Sequence, residues 1–564
     1  MTPNECLSYW LVEELVAQGI SQFCISPGSR STPLTVAAAR HPKANTKIFL
    51  DERAAAYFAL GWSRATDQAA ALICTSGTAG ANYYPAIIEA SIEHLPLLAI
   101  TADRPPELQQ TGANQTVEQN QLFGSHTRWF YDPGCPDQTL QESTVKSWAA
   151  QAVLRSAYPD PGPVHLNIPF REPFLADEQS SLLKVTSPNF QLGIPRQSLA
   201  KEDLQALRPI LKADRGLVTV GELPFRAQFS VGNFLEKLNW PVFADTTSGF
   251  RFGNLSQRID LADQLLLQDQ WRKAVPEVWI HLGNQCVSKR WLQWWQDCKS
   301  THKIVLTNHS NRQDPSQRPH WRLQLDWEAL DEILSSTEVS SSRTQWLEQW
   351  KQGSQALEEQ AARWWDKTER FGEVSIVREL VCQIPIEHAL FVGNSLPIRE
   401  VDMLSTTRNT PLRIAANRGA SGIDGQIATA CGWAMGHRQP TTILLGDLSA
   451  MHDLNSLLLI RESTVPMTLI ILNNDGGGIF SMLPIYKQKD VFESFFGTPH
   501  GCEFSKVAAM FDIPCFQPEN LEQLCKSYQE AWHSKKSSLI EVKTGREQTA
   551  AQLLAWQEHV KNHA

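Results

Sequence analysis

Two short polar segments, separated by 27 residues, contain the residue types that bind a divalent metal ion. Asp447 follows the apolar run Thr441 to Leu445 and one glycine, and Asn474 follows the apolar run Met467 to Leu472. Carboxylate and amide oxygens suit Mg²⁺, which usually completes its coordination with phosphate oxygens. The pair therefore predicts a metal–diphosphate site. Each segment alone also fits a strand-end residue that caps a helix, or an ordinary glycine turn.

The elements around these segments must bring the two side chains together. Both apolar runs are typical of buried parallel strands. Ligands of open α/β sheets bind at the carboxyl ends of the strands. Gly446 and Gly476 would let the backbone approach a diphosphate closely, because glycine has no Cβ. We therefore expect Asp447 and Asn474 at one sheet edge.

A glutamate and several arginines form the second group of candidate residues. Glu52, in FLDERAAAYFALG, follows a strand-like run and begins a helical pattern, so it could be a catalytic acid or a carboxylate stabilised by the helix dipole. A single arginine in such a position is commonly a surface ion pair, but several together suggest a site for carboxylates, which arginine binds bidentately. These arginines are Arg30, Arg104, Arg290, Arg399 and Arg418.

Strand-like and helical patterns alternate along the chain, which predicts an α/β fold of three doubly wound parallel-sheet domains. We expect an N-terminal domain at 1–180, a central domain at 200–335 and a C-terminal domain at 370–564. The predicted strands are Gln22–Ser26, Lys47–Leu50, Ala70–Thr75, Pro96–Thr101, Val164–Ile168, Gly216–Val220, Val242–Ala244, Val278–Leu282, Ile304–Leu306, Ala389–Val392, Arg413–Ala415, Ile443–Leu445, Leu469–Leu472 and Leu539–Val542.

The bulk properties exclude several classes of protein. The 564 residues carry a formal net charge of −9, which argues against nucleic acid or an anionic membrane as the main partner. The eleven cysteines show no metal-ligand spacing and indicate reduced thiols in the cytoplasm. No apolar run is long enough to span a membrane, and no Walker A or dinucleotide-binding glycine motif is present.

Ten segments together resemble the 2-succinyl-5-enolpyruvyl-6-hydroxy-3-cyclohexene-1-carboxylate (SEPHCHC) synthase family of thiamine diphosphate (ThDP) enzymes. The metal motif is shared by ThDP enzymes in general, whereas TADRPPEL and NRGASGIDG are typical of this family. Leu448 replaces the glycine of many ThDP enzymes, as this family expects. The other segments are SPGSRSTPL, DERAAAYFALG, TSGTAGANYYPAIIEA, GANQT, GPVHLNIPFREP, GNSLPIRE, GDLSAMHDLNSL and NNDGGGIFSMLP.

The resemblance implies a transferase that decarboxylates 2-oxoglutarate and adds the succinyl carbanion to isochorismate in a 1,4 fashion. CO₂ and SEPHCHC would be the products, in menaquinone or phylloquinone biosynthesis. The implied cofactors are ThDP and Mg²⁺, which Mn²⁺ could replace. A homodimer or tetramer with active sites at the subunit interface is also implied. The alternative is another ThDP-dependent 2-oxoacid carboligase or decarboxylase.

The resemblance further implies a role for each matched residue. Glu52, Gln115 and Arg399 would be catalytic, and Asp447, Asn474 and Gly476 would hold the metal ion. Residues implied to contact the cofactor are Glu52, Ser395, Ile423, Gly446, Asp447, Leu448, Ser449, Asn474, Gly476 and Ile479. Residues implied to contact the substrates are Ser29, Arg30, Arg104, Asn114, Gln115, Lys289, Arg290, Ser395, Arg399, Arg418, Ile479 and Phe480.

Overall fold

A computed structural model describes residues 1–176, 188–334, 340–367, 371–405 and 408–563. The chain separates into two compact units. Unit 1 consists of Met1–Pro195, Asn417–Arg438 and Asp453–Leu459, and unit 2 consists of Arg196–Ala416, Gln439–His452 and Ile460–Ala564. The domain boundaries that we predict at 180, 335, 370 and 564 lie outside the described residues, so the division into three domains stays a prediction.

Strands and helices alternate through both units. The strands are β1 (Gln22–Ile25), β2 (Asn45–Ile48), β3 (Ala70–Cys74), β4 (Leu97–Asp103), β5 (Trp129–Tyr131), β6 (Pro163–Pro169), β7 (Gly216–Val220), β8 (Val242–Ala244), β9 (Val278–Leu282), β10 (His302–Thr307), β11 (Trp321–Gln324), β12 (Ala389–Val392), β13 (Arg413–Ala415), β14 (Thr441–Gly446), β15 (Met467–Asn473), β16 (Cys515–Phe516) and β17 (Ser538–Lys543).

The α-helices vary from four to 27 residues in length. They are α1 (Pro3–Ala17), α2 (Thr32–Arg40), α3 (Glu52–Thr66), α4 (Thr78–Asn82), α5 (Tyr84–Ile92), α6 (Glu142–Ala157), α7 (Lys201–Ile210), α8 (Gln228–Leu238), α9 (Ala262–Leu265), α10 (Asp269–Lys273), α11 (Lys289–Asp297), α12 (Leu330–Ile333), α13 (Ser341–Lys367), α14 (Glu373–Gln383), α15 (Leu396–Leu404), α16 (Gln426–His437), α17 (Asp447–His452), α18 (Leu457–Arg461), α19 (Lys489–Phe492), α20 (Phe504–Met510), α21 (Leu521–His533) and α22 (Arg546–Asn562).

Three parallel sheets confirm the predicted fold class. Unit 1 contains a six-stranded sheet with the order β2-β1-β3-β4-β6-β5. Unit 2 contains a five-stranded sheet with the order β11-β10-β9-β7-β8 and a six-stranded sheet with the order β13-β12-β14-β15-β17-β16. The central strands are buried along their whole length, as expected for parallel sheets that helices cover on both faces.

Sequence patterns located most strands within one to three residues, but they missed three. These are Trp129–Tyr131, Trp321–Gln324 and Cys515–Phe516, and each lies at the edge of its sheet. An edge strand has a neighbour on one side only, and each of these three strands has four residues or fewer. They are therefore too short and too partly buried to give the apolar run that marks a central strand.

Within unit 1, helices α3 and α16 pack with their backbones in direct contact. A Cβ added at Gly61 would lie 1.9 Å from the carbonyl oxygen of Thr429, and a Cβ added at Gly432 would lie 1.9 Å from that of Phe58. Only glycine fits at such an approach. The helix that begins at Glu52 is therefore fixed against a helix from the last third of the chain.

Unit 2 uses many of the 19 tryptophans as core residues. Trp279 lies 4.6 Å from Trp294 between ring centroids, and Trp271 lies 4.7 Å from Trp350. Trp291, Trp294 and Trp295 occupy the buried face of α11. All eleven cysteines are free thiols. In the described part of the chain, no helix is long and apolar enough to cross a membrane.

Candidate active site

Unit 1 contains a pocket of about 400 Å³ that brings together two of the predicted catalytic residues, Glu52 and Gln115. Glu52 is the first residue of α3, and the side chain of Asp51 caps this helix by accepting the N–H of Arg53 at 2.9 Å. The backbone of Gln115 is in the left-handed region, with φ of 53°. The remaining lining residues are Pro27, Thr75, Ser76, Gly77, Thr78, Ala79, Asn82, Thr116 and Val117.

A buried glutamine supports the floor of this pocket. Gln119 accepts the backbone N–H of Gly77 at 3.0 Å and donates to Asn167 at 2.9 Å. Asn167 in turn donates to the Asp103 carboxylate at 2.9 Å. This chain of hydrogen bonds holds the turn after β3, which lines the pocket, against β4 and β6.

Arg30 and Arg104 lie near each other in unit 1, outside the residues that line this pocket. Arg30 is buried, donates to the carbonyl oxygen of Phe170 at 2.8 Å and stacks on Phe174 at 4.6 Å. Burial and the nearby Arg104 charge lower the pKa of Arg30. Among the described residues no acceptor reaches the buried Nε of Arg104. Two neighbouring guanidinium groups with spare donors can bind an anion such as a carboxylate.

The loop after β13, which carries Arg418, is tied to helix α5. Glu89 accepts the backbone N–H of Gly419 at 2.8 Å and that of Ala420 at 2.6 Å, and Glu93 accepts the N–H of Arg418 at 2.6 Å. Burial and the Glu93 charge raise the pKa of Glu89 to about 8, while its bonds to Gly419 and Ala420 lower it. Two acidic side chains therefore set the backbone position of Arg418.

The same loop is tied to α3 at its other end. The Tyr57 hydroxyl donates to the Asp424 carboxylate at 2.6 Å. Burial and the Asp424 charge raise the pKa of Tyr57, which remains a donor. Asp424 follows Ile423, whose side chain is exposed in the single chain. The exposed Ile423 therefore lies in a loop that hydrogen bonds anchor to α5 at one end and to α3 at the other.

A second pocket, of about 380 Å³, lies in unit 2 and brings together three predicted basic residues: Lys289, Arg290 and Arg399. Lys289 and Arg290 begin helix α11, and Arg290 forms an ion pair with the buried Asp263. Arg399 of α15 donates to the carbonyl oxygen of Ser395, the residue before this helix. A pocket with three cationic side chains suits a ligand with carboxylates.

The predicted metal-binding residues lie side by side in unit 2. Strands β14 and β15 are parallel neighbours, with Gly446 opposite Leu472. Asp447 follows β14 and Asn474 follows β15, as the sequence predicts. One Asp447 oxygen accepts the N–H of Gly476 at 2.9 Å, which joins the two strand ends. Burial raises the pKa of Asp447, and the hydrogen bonds from the backbone N–H groups of Gly476 and Leu448 lower it.

His500 contacts the same oxygen of the Asp447 carboxylate that Gly476 does. The N–H of Cys502 donates to Nδ1 of His500 at 2.9 Å, so Nδ1 is the acceptor and Nε2 carries the hydrogen. Nε2 lies 3.3 Å from Asp447 Oδ2 and donates to it. Carboxylates that bind metal ions are commonly held by hydrogen bonds of this kind.

The unsatisfied groups at these strand ends fit a hard metal ion with a bound diphosphate. Asn474 is buried, and none of the described residues donates to its Oδ1 atom. Its Nδ2 atom donates to Glu373 Oε1 at 2.8 Å, so the amide oxygen is the end left available. A Cβ built at Gly446 would meet nothing within 4 Å, which leaves open space beside Asp447. An amide oxygen and a carboxylate, with open space beside them for a diphosphate, match the ligands that Mg²⁺ takes.

Two buried glutamates lie behind Asn474. Glu373, the first residue of α14, accepts a hydrogen bond from Thr544 at 2.9 Å and one from Asn474 on the same oxygen. Glu400 of α15 lies beside Glu373, and none of the described residues forms a hydrogen bond with either of its buried oxygens. Burial and the Glu373 charge raise the pKa of Glu400 well above its ordinary value, and burial also raises the pKa of Glu373.

The remaining predicted residues are distributed over strand ends and loops. Ser395 has φ of 71° and immediately precedes α15, and Ser449 is buried in α17. Ile479 and Phe480 are half-buried, and Phe480 contacts Phe496 with 5.6 Å between centroids. The predicted site residues outside the two pockets described above are Ser29, Arg30, Arg104, Asn114, Ser395, Arg418, Ile423, Gly446, Asp447, Leu448, Ser449, Asn474, Gly476, Ile479 and Phe480.

Sequence patterns missed several residues that hold the candidate site together. They are Tyr57, Glu89, Glu93, Gln119, Glu373, Glu400 and His500. Tyr57 and Glu89 lie within segments that resemble the family, and Glu93 lies three residues beyond one of them. Helical spacing alone makes all three ordinary helix positions. A buried acid in an otherwise apolar helix face, such as Glu400 in LPIREVDML, was the signal that could have been used.

Three family profiles match successive parts of the chain. The profile for the thiamine pyrophosphate enzyme N-terminal TPP binding domain matches residues 7–122, and that for the middle domain matches residues 191–392. The profile for the thiamine pyrophosphate enzyme C-terminal TPP binding domain matches residues 402–542. The pocket with Glu52 falls in the first region, and Asp447 and Asn474 fall in the third.

Curated relatives are similar over nearly the full length. The chain is 38% identical over 571 residues to 2-succinyl-5-enolpyruvyl-6-hydroxy-3-cyclohexene-1-carboxylate synthase of Chlorobium phaeobacteroides (strain BS1), covering 98% of this chain and 97% of the relative. The chain belongs to the SEPHCHC synthase family. Synthases of this family from Prosthecochloris aestuarii (39%; 98% and 97% covered) and Rubrobacter xylanophilus (38%; 96% of each covered) are also similar. Membership of the SEPHCHC synthase family makes the chain a ThDP-dependent enzyme of the carboligase type.

Proposed function

We propose that the protein decarboxylates 2-oxoglutarate and adds the resulting succinyl group to isochorismate, with SEPHCHC and CO₂ as products. The similarity to named SEPHCHC synthases over nearly the whole chain carries the proposal. The reaction would be a step of menaquinone or phylloquinone biosynthesis in the cytoplasm. Two anionic substrates agree with the groups of basic residues described in each unit.

The cofactor site of this proposal uses the strand ends of unit 2. Asp447, the Oδ1 atom of Asn474 and the carbonyl of Gly476 would hold Mg²⁺, or Mn²⁺ in its place. Gly446, Leu448, Ser449, Ser395, Ile423 and Ile479 would surround the rest of the cofactor. When bound, ThDP supplies the group that stabilises negative charge on the former carbonyl carbon of the 2-oxoacid.

Glu52 is proposed to hold a proton at N1′ of the aminopyrimidine ring. Its place at the start of α3, in a pocket with Gln115, leaves the carboxyl free to face a ligand. Gln115, Ser395, Arg399, Ile479 and Phe480 would line the reacting centre. There the apolar side chains exclude water and the polar ones orient the acceptor, so that the carbanion meets a carbon electrophile in place of a proton.

Substrate carboxylates and hydroxyls are assigned to the basic and polar groups. Arg30 and Arg104 in unit 1 and Lys289, Arg290 and Arg399 in unit 2 would bind carboxylates, each contact contributing roughly 1.5–3 kcal/mol. Ser29, Asn114 and Arg418 would complete the set. Glu89 and Glu93 would act on the substrate only through the loop that carries Arg418.

We further propose a homodimer or tetramer in which one active site contains residues of two chains. Glu52 of one subunit and Asp447 of its partner would then serve one cofactor. An isolated subunit would lack a complete site and would be inactive. Oligomeric state and activity measured on the same chromatographic fraction test this, since an active monomer contradicts it.

The experiment that tests the reaction follows CO₂ release and isochorismate loss together, with ThDP, Mg²⁺ and 2-oxoglutarate. We expect equal amounts of both, dependent on every component. Glu52→Gln should slow the reaction severely, while the same substitution at the exposed Glu558 should leave the rate unchanged. CO₂ release without loss of isochorismate would contradict the acceptor. Absence of turnover by enzyme loaded with ThDP would contradict the whole proposal and favour another 2-oxoacid carboligase.

A further inference from the structure

The orientation of the Asn474 amide is set by a residue far away in the sequence. Asn474 Nδ2 donates to Glu373 Oε1 at 2.8 Å across a separation of 101 residues. The amide has one donor end and one acceptor end. Because the donor end faces Glu373, Oδ1 faces the other way, and no donor among the described residues reaches it.

Glu373 is itself held in one position. It is 1% exposed, begins helix α14 and accepts the Thr544 hydroxyl at 2.9 Å on the oxygen that Asn474 also uses. The buried Glu400 lies beside the same carboxylate. An anion at the first residue of a helix is stabilised by the helix dipole. A fixed acceptor of this kind allows a single orientation of the neighbouring amide.

We propose that Glu373 is a positioning residue for the metal site, which turns the amide of Asn474 so that Oδ1 faces the ion. The inference rests on the proposed function only in that Asn474 binds the metal ion. Glu373 itself touches neither metal nor substrate. Without an acceptor at this place, the amide could rotate and present its N–H₂ group, which cannot bind a cation.

Three variants separate positioning from a general structural role. Glu373→Leu removes the acceptor, whereas Glu373→Gln keeps an oxygen for Asn474 and offers an N–H₂ group to Glu400. Thr544→Val removes the other hydrogen bond to the same Glu373 oxygen without touching Asn474. If Glu373 only stabilises the fold, Thr544→Val and Glu373→Leu should disturb metal binding alike.

The measurement is the Kd of Mg²⁺ at saturating ThDP, by titration calorimetry on the full-length protein. We expect Glu373→Leu to raise the Kd about 10- to 100-fold, the usual effect of removing a group behind a metal ligand. Glu373→Gln and Thr544→Val should stay within about threefold of the unchanged protein. A Glu373→Leu variant that binds Mg²⁺ normally, or a Thr544→Val variant that loses affinity equally, would overturn the inference.

A fourth variant keeps the inference testable if Glu373→Leu does not fold. Asn474→Asp adds negative charge, which alone should strengthen cation binding. It also sets a carboxylate oxygen against Glu373 where the N–H donor was, so we expect Mg²⁺ to bind at least about tenfold more weakly. The double variant Asn474→Asp with Glu373→Gln should recover affinity, because the glutamine can donate to Asp at 474. Unchanged or tighter binding by Asn474→Asp alone would refute the positioning role.

These outcomes are distinct from failure of the proposed function. If the unchanged protein binds ThDP and Mg²⁺ but does not consume isochorismate, the reaction is wrong and the role of Glu373 stands. If the unchanged protein consumes isochorismate and Glu373→Leu binds Mg²⁺ with full affinity, the role of Glu373 is wrong and the reaction stands.

Discussion

Tyr57 donates its hydroxyl hydrogen to Asp424 at 2.6 Å, although 367 residues separate the two in the sequence. Tyr57 lies on the helix that begins at Glu52, and Asp424 lies in the loop that carries Ile423. One helix therefore positions both the candidate acid and a loop assigned to the cofactor. Disturbing this bond should affect stability and cofactor binding together.

Replacement of Tyr57 by phenylalanine tests this link. We expect the thermal midpoint to fall by roughly 3–8 °C, since a buried bond to a charged group contributes about 1.5–3 kcal/mol. ThDP should also bind more weakly, because the loop with Ile423 loses its anchor. Differential scanning calorimetry and a ThDP titration measure the two effects. Tyr486→Phe, which removes an exposed bond to Glu547, is the matched control and should change neither.

Glu89 should give the stability of unit 1 a distinctive pH dependence. Its pKa is raised to about 8 in the folded protein, above the ordinary value of 4.5. The folded state therefore binds the proton more tightly, and the stabilisation present at low pH is lost as pH rises toward 8.

Glu89→Gln removes this titration. Between pH 5 and 8 the stability of the unchanged protein should decline more steeply than that of the variant, by up to about 1.4 kcal/mol per pH unit. Unfolding followed at several pH values measures the difference. Parallel pH profiles of the two proteins would show that Glu89 does not titrate in this range. Glu558→Gln, an exposed site, should leave the profile unchanged.

Arg290 should determine the affinity for a carboxylate substrate. Arg290→Lys keeps the charge but loses the planar fork that binds a carboxylate with two parallel hydrogen bonds. We expect KM for one substrate to rise about 10- to 100-fold, which corresponds to roughly 1.5–3 kcal/mol. Steady-state kinetics with each substrate varied in turn will identify which one. Arg215→Lys, in an exposed ion pair with Glu277, should behave as the unchanged protein; equal effects of both changes would argue against a binding role.

Mixed oligomers test whether two chains share one site. Glu52→Gln and Asp447→Ala proteins should each be inactive alone. If the residues come from different subunits, a mixed dimer contains one intact site, and random exchange should restore about a quarter of full activity. Activity after co-expression with two different tags measures this. A mixture that stays inactive, although mixed dimers are isolated, would place both residues in one chain's site.

The sequence predicted the elements that carry a local signal. The runs that became β14 and β15 are fully apolar and end in polar residues, so the neighbouring positions of Asp447 and Asn474 followed from parallel-sheet geometry alone. Glu52 was expected at a helix start and is found there. At these positions composition, periodicity and topology agree, so a short stretch of chain is enough to predict the local structure.

The parts that escaped prediction depend on partners distant in the chain. Glu373 meets Asn474 across 101 residues, and nothing near Glu373 in the sequence indicates that its carboxylate will be buried beside an amide. The pairing of Glu89 with the loop at Gly419 spans 330 residues. Such contacts form only when whole helices and strands pack together. The periodicity of a single sequence does not show which elements will pack against each other.

The discontinuous composition of unit 1 has a consequence for protein synthesis. Helix α3 leaves the ribosome hundreds of residues before α16, whose backbone packs against it at Gly61 and Gly432. At roughly 5–20 residues per second, a gap of this size lasts about 20–70 seconds. During that interval the nascent N-terminal segment exposes the apolar surface that α16 later covers. Folding of this unit is therefore completed late in translation, and a chain interrupted before residue 438 would retain an uncovered, aggregation-prone face.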